Sequence, residues 1–192
     1  MVNNGKRLIV GISGASGVIY GIRLLEILKE QKIECHLVMS KAAAVTVGHE
    51  TDLKISDIGE LAHTVHKVDD IGASIASGSF KTDGMLVVPC SVKTMSEINS
   101  GVTSSLLTRA ADVTLKERRK LLLMVRETPL HLGHLRTMTS LSEMGAIIAP
   151  PVPALYCKPG SIEEMIDQTL GRALDLFGIE IVGLKRWKNN QK

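Results

Sequence analysis

Arg126 and Glu127 stand side by side directly after the apolar run Leu121-Leu122-Leu123-Met124-Val125. A guanidinium can grip a phosphate through two parallel hydrogen bonds, and a carboxylate beside it can take or return a proton. An internal ion pair would use the same two residues. Near the start, Gly11-Ile12-Ser13-Gly14-Ala15-Ser16-Gly17 follows Leu8-Ile9-Val10. Glycine lets a ligand approach the backbone, serine adds hydroxyl donors, and a helix start offers unpaired N–H groups and a partial positive charge. This reads as an anion-binding turn. Its spacing is G-x-x-G-x-x-G, so it lacks the dinucleotide signature G-x-G-x-x-G and the lysine of G-x-x-x-x-G-K-[ST]. No G-x-S-x-G occurs, which leaves a nucleophile-elbow hydrolase without support.

Pro89-Cys90-Ser91-Val92-Lys93-Thr94 is a second donor-rich turn. Ser91 and Thr94 can cap a helix or donate to a ligand, and Lys93 can meet a phosphate. The bland alternative for both turns is an ordinary helix start. Together they leave room for one phosphomononucleotide with a flat ring. Glu50 has no local partner and on its own reads as a surface residue. His63-x-x-His66 and His131-x-x-His134 can each place two rings on one helix face, but no third ligand completes either set, so no metal is expected.

These residues need a scaffold, and the apolar runs supply one. Strands are expected over 6–12, 33–39, 84–88, 121–125 and 146–149, the third stopped by Pro89. Helices are expected over 18–30, 42–49, 91–99, 104–119, 131–144 and 161–177, with a helical turn within 58–66. The last helix opens with Ser161 and Glu164 in capping-box spacing, and Arg172 lies beside its buried stripe. Strands alternating with helices imply a parallel sheet with helices on both faces, and ligands then bind beyond the carboxyl ends of the strands. That rule gathers the 13–17 turn, Ser40, the 91–94 turn and Arg126-Glu127 along one edge.

Composition sets the outer limits. At 192 residues the chain is expected to form one domain, with a tail from about residue 179. A net charge of +3 and 3% aromatic residues give no footprint for nucleic-acid binding. Cys35, Cys90 and Cys157 are odd in number and widely spaced, which argues against a disulfide framework and suits a reducing compartment. No apolar run reaches membrane-spanning length and no signal-peptide pattern opens the chain, so a soluble, cytoplasmic protein is expected.

Taken in order, Gly14-Ala15-Ser16-Gly17, Ser40-Lys41-Ala42, Glu50-Thr51-Asp52, Pro89-Cys90-Ser91, Arg109-Ala110-Ala111-Asp112-Val113, Leu115-Lys116-Glu117-Arg118-Arg119, Arg126-Glu127-Thr128-Pro129-Leu130 and Pro153-Ala154-Leu155-Tyr156 resemble the UbiX-type flavin prenyltransferases over nearly the whole chain. The resemblance implies a flavodoxin-like (Rossmann-type) α/β fold, three layers with a parallel sheet between helices, assembled as a dodecamer. It implies that the dimethylallyl group of dimethylallyl monophosphate is joined to N5 and C6 of reduced FMN. The prenylated FMN would then serve a UbiD-type decarboxylase.

By the same resemblance FMN falls on Gly14, Ala15, Ser16, Ser40, Ser91, Val92, Lys93, Thr94 and Arg126. The prenyl phosphate falls near Lys116, Tyr156 and Arg172, and Ser16, Glu50, Lys116 and Glu127 take part in catalysis. Lys, Arg and Tyr donors can stabilise a departing phosphate without a metal. Trp187 matches a tail aromatic of the family, whereas Cys157-Lys158 departs from the histidine and arginine or glutamine many relatives carry there. Two other functions use parts of the same set: a direct decarboxylase of hydroxyaryl acids, and a non-catalytic flavin carrier or decarboxylase subunit.

Overall fold

The computed structural model describes residues 5–187. Its chain divides after Pro150 into two compact units.

The first unit is built on a six-stranded parallel sheet: β1 (Arg7–Ile12), β2 (Glu34–Met39), β3 (Thr64–His66), β4 (Gly84–Cys90), β5 (Lys120–Val125) and β6 (Ile147–Ile148). Their order across the sheet is β3-β2-β1-β4-β5-β6. Without β3, the five strands expected from sequence run 2-1-3-4-5, the flavodoxin-like order. The order reverses between β1 and β4, so a crevice opens there beyond the strand ends.

Alternate residues of each strand face opposite layers. Ile9, Met85, Val87, Leu121 and Leu123 join a buried cluster with α4 (Val92–Ser100), α5 (Leu106–Lys116) and α6 (Leu132–Glu143). On the other face lies α1 (Val18–Glu30), which buries Val18, Ile22, Leu25 and Leu28 at helical spacing. Each such side chain taken fully out of water is worth about 1.5–3 kcal/mol. The sheet is thus fixed from both sides, and its carboxyl edge is free to hold loops. Helix α2 (Lys41–Glu50) starts at that edge, directly after β2.

Two expectations are corrected. Pro89 does not stop the third expected strand; β4 runs on to Cys90, which pairs with Val125 across a register shift after Val87. Proline, which has no N–H to give the ladder, is tolerated here at the irregular end of the strand. The expected helical turn in 58–66 is instead a short helix α3 (Ile55–Gly59) followed by β3. The open edge of β2 captures this segment, pairing His36 with Thr64 and Val38 with His66. His63 and His66 therefore do not share a helix face; His66 Nε2 lies 2.9 Å from His36 Nδ1 instead.

In the second unit, α7 (Ile162–Asp175) buries Ile166, Leu170, Ala173 and Leu174. Ser161 caps it by accepting from the Glu164 N–H, while the Glu164 carboxylate reaches back to the Gly160 N–H, one residue short of a closed capping box. Gln168, buried on this helix, donates to the Lys185 carbonyl at 2.7 Å and accepts from its N–H at 3.3 Å. The segment after residue 179 is stapled to α7 through that amide.

Candidate functional site

A cleft of about 620 Å³ opens at the carboxyl edge of the sheet. Gly14, Ala15, Ser16, Ser40, Ser91, Val92, Lys93, Thr94, Arg126 and Glu127 all line it. Its size lies in the range of small-molecule and cofactor pockets.

The first wall is the turn from β1 into α1. An added Cβ on Gly14 would sit 2.4 Å from the Ala42 Cβ, so only glycine lets α2 pack against the turn. Gly17 holds φ at 96°, a left-handed value that glycine adopts without strain. Ser40 caps α2 by accepting from the Ala43 N–H at 3.0 Å.

At the start of α1 the expected anion site is already filled. The Glu50 carboxylate accepts from the Gly17 N–H at 2.8 Å and the Val18 N–H at 3.0 Å. Glu50 is therefore no ordinary surface residue: the end of α2 delivers it to the positive pole of α1. Burial raises its pKa, but hydrogen bonds from Ser16, Gly17 and Val18 and the nearby Arg126 charge outweigh that and hold the carboxyl below its usual range.

The second wall is the turn from β4 into α4. The Ser91 hydroxyl accepts from the Thr94 N–H at 3.3 Å and lies 3.1 Å from the Thr94 hydroxyl. Lys93 is largely exposed and pairs with Glu97 at 3.4 Å. Among the described residues the α4 start is capped by the neutral Ser91 hydroxyl and not by a carboxylate, so its partial positive charge is left to attract an anion. Cys90 lies just beneath; burial pushes its thiol up to about 12, so it offers no thiolate nucleophile.

Arg126 and Glu127 follow β5 as the sequence suggests, with the Arg126 N–H donating to the Cys90 carbonyl at 3.1 Å. They do not pair with each other in any hydrogen bond or ion pair among the described residues. Glu127 Oε1 accepts from the Thr128 N–H at 2.9 Å, and Arg126 is exposed at the cleft.

Lys116 does not line the cleft of its own chain. The cleft takes Leu107 and Thr108 from the start of α5, and Lys116 ends that helix about 13 Å along its axis. There its Nζ pairs with Glu117. Tyr156 and Arg172 belong to the second unit. The Tyr156 and Trp187 rings meet edge to face at 5.3 Å, and Arg172 pairs with Asp175, which Arg186 also grips with two hydrogen bonds of 2.8 Å.

Residues given no role from sequence also line the cleft: Lys41, Ala42, Val68, Asp69, Glu97, Ser104, Ser105, Leu107 and Thr108. Ser105 and Thr108 form a reciprocal cap at the start of α5, a signal legible as S-x-x-T before an apolar helix. Glu97 was detectable as the i,i+4 partner of Lys93. Val68 and Asp69 come from a polar stretch with no motif. Among the described residues no group of three or more His, Cys, Asp or Glu side chains is arranged to hold a metal ion.

Parallel strands ending in donor-rich turns around one cleft define a nucleotide- or flavin-type binding protein. A model of the Flavoprotein family matches residues 2–174. Flavin prenyltransferase UbiX of Escherichia coli (strain K12) is 59% identical over 177 residues, covering 92% of this chain and 94% of that protein. Flavin prenyltransferase UbiX of Thauera aromatica is 52% identical over 186 residues, covering 97% and 96%. The crystal structure of AnUbiX (PadA1) in complex with FMN and dimethylallyl pyrophosphate has a TM-score of 0.93 at 50% identity, over 95% of this chain and 97% of that one. A dodecameric FMN-dependent UbiX-like decarboxylase from Escherichia coli O157:H7 has a TM-score of 0.93 at 46% identity, over 95% and 99%. The chain belongs to the UbiX-type flavin prenyltransferases.

Proposed function

We propose that this chain transfers a dimethylallyl group from dimethylallyl monophosphate to reduced FMN. The single observation that carries the reading is the cleft at the switch point, where both donor-rich turns, Arg126 and Glu127 meet. The flavin fits the donor set: Ser91, Lys93 and Thr94 would hold its phosphate at the start of α4, and Gly14, Ala15, Ser16 and Ser40 would border the rest. Reduced FMN supplies the electron-rich N5 and C6 atoms that take the prenyl group.

The chain's own groups handle charge and protons. Arg126 faces the cleft as a cation for the departing phosphate of the prenyl donor. Ser16, hydrogen-bonded to Glu50, borders the same space, and Glu127, which also lines the cleft, would accept the proton lost on ring closure. Lys116, remote from its own cleft, would act in the cleft of a neighbouring copy, which accords with the dodecamer of the Escherichia coli O157:H7 relative. Tyr156 and Arg172 would complete the prenyl-phosphate set. The whole chain would then work as one flavin-binding domain with a tail, in a cytoplasmic dodecamer whose product serves a UbiD-type decarboxylase. Among the described residues no helix is long and apolar enough to cross a membrane.

The test is to incubate the protein anaerobically with reduced FMN and dimethylallyl monophosphate, and in a parallel reaction with the pyrophosphate, then weigh the extracted flavin. A gain of one dimethylallyl unit with the monophosphate is expected. An unchanged flavin mass in a folded, FMN-bound protein would sink the reading. Release of carbon dioxide from a hydroxyaryl acid by the pure chain would instead favour the decarboxylase activity for which the 46%-identical structure is named.

A further inference from the structure

The two turns are joined by one residue that touches neither the cleft nor any surface. Ser13 is fully buried, just beyond the end of β1. Its N–H donates to the Pro89 carbonyl at 3.2 Å, and its hydroxyl donates to the same oxygen at 2.8 Å. The hydroxyl in turn accepts from the Ser91 N–H at 2.7 Å. The polarity of this strap is fixed. A carbonyl can only accept and an amide N–H can only donate, so the Ser13 proton must point at Pro89 and its lone pairs at Ser91.

The strap repairs a gap that the sequence itself creates. The β1–β4 ladder pairs Gly11 with Val87 as its last partners. Beyond them Pro89 has no N–H to donate back to β1. The next donor along the chain on the side of β1 is the Ser91 N–H, just past the end of β4, and the Ser13 side chain reaches out to receive it. In an ordinary capping box the side chain of the third helical residue would accept that N–H. In α4 that residue is Thr94, whose hydroxyl is turned to the Ser91 hydroxyl. Ser13 therefore supplies, from a neighbouring strand, the acceptor that the helix does not supply for itself.

We infer that Ser13 is the positioning residue that fixes the 91–94 turn for the phosphate of FMN. It acts through Ser91: with its N–H held from β1, the Ser91 hydroxyl is free to cap Thr94. The Val92 and Lys93 N–H groups have no hydrogen-bond partner among the described residues and remain available at the helix start. The inference rests on the FMN reading above and adds to it a residue that cannot touch the ligand.

The experiment compares Ser13→Ala with the unaltered protein. FMN affinity is read by flavin fluorescence, folding by thermal melting, and kcat and KM for FMN by the flavin-mass reaction. Loss of the strap is expected to weaken FMN binding about tenfold and to raise KM in step, with kcat at saturating FMN changed less than about threefold. A merely structural serine would lower the melting temperature and leave the affinity of the folded fraction unchanged. FMN affinity within twofold of the unaltered protein, in a folded variant, overturns the inference. If Ser13→Ala does not fold, hydrogen exchange of the Ser91 amide in the unaltered protein decides. Strong protection without ligand supports the strap, and rapid exchange overturns it. Failure of the unaltered protein to bind FMN would refute the FMN reading instead, and would be seen before any variant is made.

Discussion

The turns after β1 and β4 are made of similar residues, yet the fold gives them opposite charge. Both carry small hydroxyl residues, both lead from a central strand into a helix, and both line the same cleft. At the first, the α1 amides are spent on a carboxylate from α2: Glu50 binds Gly17 and Val18. At the second, the helix is capped by its own neutral hydroxyl, Ser91, with the Lys93 cation beside it. A helix start attracts anions only while it is unoccupied. On that ground the second turn is the proposed seat for the flavin phosphate, while at the first a carboxylate is held beside Ser16 with the Arg126 charge nearby.

The sharpest way to break this contrast is Glu50→Gln. The amide keeps an acceptor for the α1 N–H groups but removes the charge. Turnover is expected to fall about 100-fold, the usual scale for losing a proton-transfer group, while FMN affinity stays within about threefold. A fall in FMN affinity as large as the fall in turnover would mean that the first turn, and not the second, carries the flavin phosphate.

Gly14→Ala attacks the first turn sterically. Its Cβ would lie 2.4 Å from the Ala42 Cβ and 3.1 Å from the Ala42 carbonyl carbon, so backbone as well as side chain must move. A stability loss of about 1–3 kcal/mol is expected in chemical denaturation, with weakened FMN binding as α2 and Glu50 shift together. An unchanged denaturation midpoint would show that the close packing of α2 on the turn is not required.

Ser91→Ala is the matching change at the second turn. Loss of a serine cap costs about 1 kcal/mol of stability. The two turns then separate by pH. Glu50 has a pKa below its unfolded value, so its stabilisation is complete above the ordinary 4.5 and is lost as pH falls through the lowered value. Ser91 does not titrate. Denaturation midpoints measured between neutral and acid pH should show the Ser91→Ala deficit constant, while the Glu50→Gln deficit shrinks as acid protonates Glu50 in the parent. A deficit for Glu50→Gln that stays level to acid pH would remove the carboxylate from the α1 cap.

The two turns themselves are legible in the sequence, but the contrast between them is not, since both read as anion sites and Glu50 as a surface residue. Glycine–serine turns after apolar runs mark the carboxyl edge of a parallel sheet, and the expected strands and helices fall on the observed ones within a few residues. What local pattern could not supply is which groups meet from distant parts of the chain. Glu50 follows a short helix with no sequence partner, and its bond to Gly17 spans 33 positions. Residues 64–66 pair into a strand because the β2 edge is open, a tertiary effect that outranks local helical spacing. Lys116 illustrates the limit of a motif carried over by resemblance. The residue type agrees with a phosphate donor, but α5 carries it away from the cleft of its own chain, so its proposed role is in the cleft of a neighbouring copy.

Lys93 tests the smallest part of the contrast. Its pair with Glu97 is exposed and spaced i,i+4, a kind of contact worth about 0.3–0.5 kcal/mol, so Lys93→Ala should leave stability almost unchanged. Its charge at the start of α4 should matter more to an anion than to the fold. FMN affinity is expected to drop about fivefold at low salt, and the difference from the parent should narrow as added salt screens the charge. Riboflavin, which has the ring and no phosphate, should bind parent and variant alike. If riboflavin binding falls as much as FMN binding, Lys93 contacts the ring or shapes the cleft, and the phosphate seat must be sought at the 14–16 amides that Glu50 leaves free.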